Sequence, residues 1–126
     1  MVRPNVHWVS DHNIARDLAE AGRDDVAVVF DFFRYRRATM TAAETFASLG
    51  TTLIAITDGP LSPLASLTEH WCQVRIPAVG PFDSSVPAVA AAEFLVAQVS
   101  RDLQKDARDR IDRTEALWNA TGTFCR

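Results

Sequence analysis

The sequence predicts an α/β protein, a three-layer α/β/α sandwich built on a small parallel sheet. Short apolar runs alternate with segments whose apolar residues recur at helical spacing, the order expected of parallel strands joined by right-handed crossovers. The run Val26-Ala27-Val28-Val29-Phe30 is apolar on both faces, as in a strand covered by helices on two sides. Leu53-Ile54-Ala55-Ile56 then breaks abruptly into Thr57-Asp58-Gly59-Pro60-Leu61-Ser62-Pro63. Parallel sheets hold small polar ligands in loops of this kind, outside the carboxyl ends of their strands.

In chain order, Val6-His7-Trp8-Val9 reads as a first strand ending at Ser10 or Asp11, both good helix N-caps. Ile14, Ala15, Leu18, Ala19 and Ala21 form a helix stripe stopped by Gly22. Asp25 opens the second strand, Val26 to Phe30. Met40, Ala43, Phe46, Ala47 and Leu49 mark the next helix, closed by Gly50. The third strand covers Leu53 to Thr57 and a fourth Trp71 to Ile76. A loop with Pro77, Gly80 and Pro81 follows. Ser84 or Ser85 then caps a helix with Pro87 in its first turn, where a missing N–H costs nothing. Its stripe runs Ala92, Leu95, Val96, Val99, Leu103. Across residues 105–119 the charges alternate in sign around a narrow seam of Ala107, Ile111, Thr114 and Trp118. That is a solvated terminal helix, its seam serving either its own domain or a subunit contact.

The bulk properties exclude several function classes. A chain of 126 residues is expected to form one domain, 1–126, that buries roughly two-thirds of its unfolded surface. With 48% hydrophobic and 23% charged residues it has the balance of a soluble globular protein. A net charge of -3 offers no basic field for a phosphate backbone, so direct contact with nucleic acid is not expected. Cys72 and Cys125 lack C-x-x-C spacing and make no disulfide framework. His7, His12 and His70 lack metal-ligand spacing, and no metal or cofactor is expected. No signal peptide is read after Met1, and no run approaches the ~20 apolar residues of a membrane span. The expected compartment is the cytoplasm.

The loop Thr57-Asp58-Gly59-Pro60-Leu61-Ser62-Pro63-Leu64-Ala65, with Pro81-Phe82-Asp83-Ser84 leading into a long apolar helix, resembles the sugar isomerase (SIS) domain. The version it is most similar to is that of RpiR/MurR-type transcriptional regulators, and the resemblance runs from about Asn5 to Trp118. It implies a flavodoxin-like SIS fold and the role of a phosphosugar-sensing effector domain. Such a domain is non-catalytic and acts through dimer rearrangement, with DNA contacted by a helix-turn-helix domain that this chain does not contain. The partners implied are a sugar phosphate or related metabolite and a second copy of the chain. Two other readings stand beside this one: a phosphosugar isomerase interconverting aldose and ketose, and a degenerate SIS scaffold that only oligomerises.

Two departures from the family pattern bear on function. The strand and Gly-x-Gly-x-Ser turn that begin a full SIS domain have no counterpart, so the fold is expected to lack its first strand. That strand would lie between this chain's first two. An empty place there costs ~1–3 kcal/mol for each backbone group buried without a partner. The expectation is a fragment or shortened reading frame, or a partner that fills the gap. The second departure is in the phosphate loop. Where the family writes Ser-x-Ser-Gly-x-Ser/Thr, this chain has Asp31, Phe33, Arg34 and Arg36. A carboxylate about 4 Å from a phosphate oxygen costs on the order of 4 kcal/mol per unit charge at an effective dielectric of about 20. Asp31 is therefore turned away, paired with an arginine, or set against a ligand without phosphate there. Arg34, Arg36 and Arg37 offer the counter-charge.

The resemblance and the loop chemistry nominate seven ligand-binding residues: Thr57, Asp58, Ser62, Ser84, Arg34, Arg36 and Asp31. Thr57 and Ser62 supply hydroxyls. Asp58 either bonds sugar hydroxyls or caps its turn, and Ser84 either binds or simply caps a helix. In SIS isomerases a glutamate on a helix comparable to that of Glu93 can act as base, but nothing local in this sequence supports that role.

Overall fold

The computed structural model describes residues 6–10, 14–79 and 82–124, with the side chains of residues 78, 79 and 104–107 left out. Asp11, His12, Gly80, Pro81 and Cys125 lie outside the described residues, as do the side chains of Lys105 and Ala107. Two compact units are distinguished, His7–Ala91 and one containing Ala92–Arg126.

In the first unit, β1 (Val26–Phe30), β2 (Thr52–Thr57) and β3 (Trp71–Gln73) form a parallel sheet with β2 in the centre. Val28 faces Ile54 and Phe30 faces Ile56, while Ile56 faces Cys72. The register carries all three carboxyl ends to one rim. A helix α1 (Ile14–Ala19) and a helix α2 (Arg37–Ser48) pack with the sheet. Val29, Leu53 and Ala55 meet Ala42, Ala43 and Phe46 of α2 and the fully buried Leu64 in one core, with Ile14, Leu18 and Val9 against it. Spacing of three and four residues along α2 puts these apolar side chains on one stripe.

The α/β class and the parallel sheet agree with the sequence. The two faces of β1 are nevertheless unequal: Val29 is 9% exposed on the helical side, whereas Val26, Val28 and Phe30 on the other are 58%, 39% and 37% exposed. An apolar run of five residues reads the same whether one face or both are covered.

Four local differences have physical reasons. Val6 to Val9 forms no strand: residues 6–10 have no regular structure, and Trp8 is 90% exposed. Four residues cannot hold an extended conformation without a neighbour to bond, and among the described residues β1 pairs only with β2. The strand expected to reach Ile76 stops at Gln73, although Val74 N–H still donates to Thr57 O at 2.7 Å. Beyond it, β4 (Ala78–Val79) and β5 (Phe82–Asp83) pair antiparallel where a plain loop was expected. Finally, α3 (Val86–Thr121) is one helix of 36 residues, about 54 Å long, in place of a core helix followed by a charged one. No glycine or proline follows Pro87 within it. In the second unit its residues Phe94, Val96, Ile111, Leu117 and Trp118 are exposed, and the Trp118 ring meets Phe124 edge to face at 5.4 Å. No helix of the described residues is long and apolar enough to cross a membrane.

Gly50 closes α2 as expected. Gly50 N–H donates to Ala47 O and Thr51 N–H to Phe46 O, both at 3.1 Å, the paired bonds of a Schellman ending. Its φ of +79° lies in the left-handed region, and an added Cβ would stand 3.0 Å from Arg23 Cγ. Gly50→Ala is expected to lower stability by about 1–2 kcal/mol, read as a lower urea midpoint at unchanged slope.

Candidate functional site

Because β1 and β2 are parallel, the chain leaves both at the same rim, and the two loops meet there. Asp31, the first residue beyond β1, is buried and its N–H donates to Ile56 O at 3.2 Å. Its carboxylate folds back on its own loop: Oδ1 accepts from Phe32 N–H at 3.0 Å and Oδ2 from Arg36 N–H at 2.9 Å. Arg36 is the N-cap residue of α2 and supplies no side-chain cap, so the remote Asp31 carboxylate holds that helix start. Between them Arg34 sits at φ +73°, the non-glycine residue with positive φ among those described. A left-handed residue inside such a turn aims successive N–H groups to one side.

The second loop brings a second carboxylate to the same place. Asp58, directly after β2, accepts Phe33 N–H on Oδ2 at 3.0 Å and the Tyr35 hydroxyl on Oδ1 at 2.6 Å. Three backbone N–H groups of the 31–36 loop thus point at two carboxylates. Burial pushes the Asp58 carboxyl up. The Tyr35 hydroxyl, the N–H groups of Asp58 and Phe33 and the Thr57 hydroxyl outweigh that, and the group rests below the usual carboxylate range. Burial, and then the bond to Asp58, raise the Tyr35 phenol above its ordinary value.

Below this rim, Thr57 Oγ1 donates to Ser62 Oγ at 2.7 Å, with Asp58 Oδ1 a second acceptor at 3.2 Å. Ser62 Oγ also accepts Leu64 N–H at 3.2 Å and so caps the short 3-10 turn Pro63–Ser66. Both hydroxyls are buried. Gln73 on β3 donates Nε2–H to Asp58 O at 3.0 Å, so all three strands contribute to the rim.

A profile of the SIS domain family matches residues 2–98. The chain belongs to the SIS domain family. This SIS domain is similar in fold to the sugar isomerase domain of an RpiR transcription factor from Sphaerobacter thermophilus, at 22% identity and a TM-score of 0.76. It is also similar to a proposed phosphosugar isomerase from Bacillus subtilis, at 17% identity and a TM-score of 0.54. Each likeness covers 88% of this chain, but the chain spans only 62% of the former and 35% of the latter. No curated protein matches the sequence significantly.

Of the seven residues nominated from sequence, the SIS domain brings Asp31, Arg36, Thr57, Asp58 and Ser62 into one bonded cluster, with Arg34 in the loop between Asp31 and Arg36. Thr57 and Ser62 lie inside it and bind each other. Arg34 and Arg36 contribute loop backbone, while their side chains are exposed. Ser84 stands apart at the start of α3, where its hydroxyl accepts Val86 N–H at 3.4 Å while Ser85 O accepts Val89 N–H at 3.1 Å. Tyr35 was not singled out from sequence. An aromatic residue among three arginines offered no periodic or motif signal, although its place one residue after Arg34 and four after Asp31 sets it opposite the Thr-Asp-Gly turn.

Two outcomes follow. Ser62→Ala leaves the buried Leu64 N–H and Thr57 hydroxyl short of a partner, and should cost about 1–3 kcal/mol in urea unfolding. Tyr35→Phe should cost about 1 kcal/mol at neutral pH and move the Asp58 carboxyl up toward its ordinary value, read by carboxyl NMR titration. A depressed folded-state pKa adds stability above the unfolded value of about 4 and loses it as pH falls through the folded one. Below about pH 4 wild type should therefore lose more stability on acidification than Tyr35→Phe, so that the stability difference between the two narrows as pH falls; a difference that stays constant with pH sinks this assignment.

Proposed function

We propose that this SIS domain is the non-catalytic effector module of an RpiR-type transcriptional regulator, and that it senses a sugar phosphate or related carbohydrate derivative at the carboxyl rim of its parallel sheet. The observation that carries this reading is the convergence of the β1 and β2 loops on Asp31, Tyr35 and Asp58, with every side chain of that cluster tied to its neighbours. A base for aldose–ketose isomerisation takes a proton from carbon in a pocket shielded from water. The carboxylates here are instead held by N–H and O–H donors, as suits recognition. The similarity to an RpiR sugar isomerase domain supports the regulatory role. Exposed Ile111, Leu117 and Trp118 on α3 support contact with a second copy. Ligand at the rim then biases how copies pack and so repositions DNA-binding domains carried elsewhere.

The similarity to a proposed phosphosugar isomerase favours a second reading, catalysis. Glu93, whose role as a base finds no local support in the sequence, is exposed on α3, which speaks against it.

Thermal melts with aldoses, amino sugars and their phosphates test the proposal. The sensed compound should raise stability by RT ln(1 + [L]/Kd), about 2.7 kcal/mol at a hundred times its Kd. No shift with any of the panel leaves the oligomerising scaffold. Turnover of aldose to ketose phosphate that disappears in Glu93→Ala overturns the non-catalytic reading.

A further inference from the structure

The loop that follows a parallel strand and opens a helix is where proteins generally hold oxyanions, because its N–H groups are unpaired and the helix start is electropositive. The 31–36 loop has that build, with a left-handed Arg34 and Arg36 capping the twelve-residue α2. Three of its N–H groups are already engaged by carboxylates. Phe32 and Arg36 donate to Asp31, and Phe33 donates to Asp58, each within 3.0 Å. Asp31 is 7% exposed, and the Tyr35 hydroxyl fixes Asp58 at 2.6 Å.

We propose that Asp31 and Asp58 are tethered occupants of this oxyanion cradle and act as specificity determinants that exclude phosphate from the 31–36 loop. An anion at these three N–H groups would have to displace one carboxylate while standing against the other. The exposed Arg34 and Arg37 side chains attract anions to the neighbourhood but do not vacate the cradle. A metabolite recognised at this rim therefore presents hydroxyl or ammonium donors to the loop. If it carries a phosphate, that group lies off the loop. The inference rests on the proposed sensing role for its biological meaning, but its physical content concerns the loop alone.

The test uses inorganic phosphate and no sugar, so it stands or falls separately from the melt panel. In the isotope-labelled full chain, the amide signals of Phe32, Phe33 and Arg36 should stay in place as phosphate is added in large excess. In an Asp31→Ser, Asp58→Ser double variant the same signals should move and saturate, with phosphate bound roughly tenfold tighter or more. Saturable movement of these signals in the wild-type chain overturns the proposal. So does a folded double variant that remains indifferent to phosphate. If the variant does not fold, the wild-type Asp58 carboxyl titration, with and without phosphate, decides the matter. A midpoint unchanged by phosphate upholds the exclusion, and a midpoint driven upward by it refutes it.

Discussion

The Asp58 carboxylate is the interaction on which the rim depends. It stands at the end of the central strand yet bonds the loop of its neighbour, through Phe33 N–H and the Tyr35 hydroxyl, and also accepts from Thr57 on its own strand. It reinforces the bond from Asp31 N–H to Ile56 O, which joins the same loop to β2. Two loops that arise 25 residues apart in sequence become one surface through a single side chain. Its energetic weight comes from charge-assisted bonds in a partly shielded place, which are stronger than neutral ones and costly to leave half made.

The core explains why that rim can be so definite. Val29, Leu53 and Ala55 present one face to Ala42, Ala43 and Phe46, and the small alanines let α2 approach the strands closely. The start of α2 is thereby fixed beside the end of β1, and Asp31 needs to span only to Arg36 to cap it. Packing and capping are therefore one constraint seen from two sides. Val26, Val28 and Phe30, on the opposite face of β1, are exposed and contribute no side chain to the rim bonds described above.

Much of this fold was legible in the sequence, for reasons that differ from element to element. β1 and β2 were marked by uninterrupted branched and aromatic apolar residues bounded by Asp25 and by Thr57-Asp58-Gly59. Gly50 was readable as the end of α2 because a left-handed residue there strongly favours glycine. Val6 to Val9 misled because strand propensity is a statement about a half-buried, paired surface, and pairing is not written in four residues. The length of α3 was obscured by a change in composition, from an apolar stripe to alternating charge, that alters solvation without breaking the helix. At the site, Asp58, Thr57 and Ser62 were visible as polar residues ending a buried strand. What lay beyond sequence was which groups satisfy one another: that Thr57 and Ser62 turn inward, that Asp31 caps α2 through backbone N–H groups, and that Tyr35 reaches Asp58.

Those internal bonds change what the substitution of serine by aspartate means in the 31–36 loop. A serine hydroxyl both donates and accepts, so it can serve an incoming anion as a donor and serve the loop as an acceptor when the anion is gone. An aspartate only accepts: Asp31, where the family writes serine, takes that role from within the loop, and Asp58 takes it from across the loop. Three N–H groups of the loop are thus held by the chain's own carboxylates. Under the proposed sensing role, carboxylates held in this way favour a metabolite that brings its own donors to the rim.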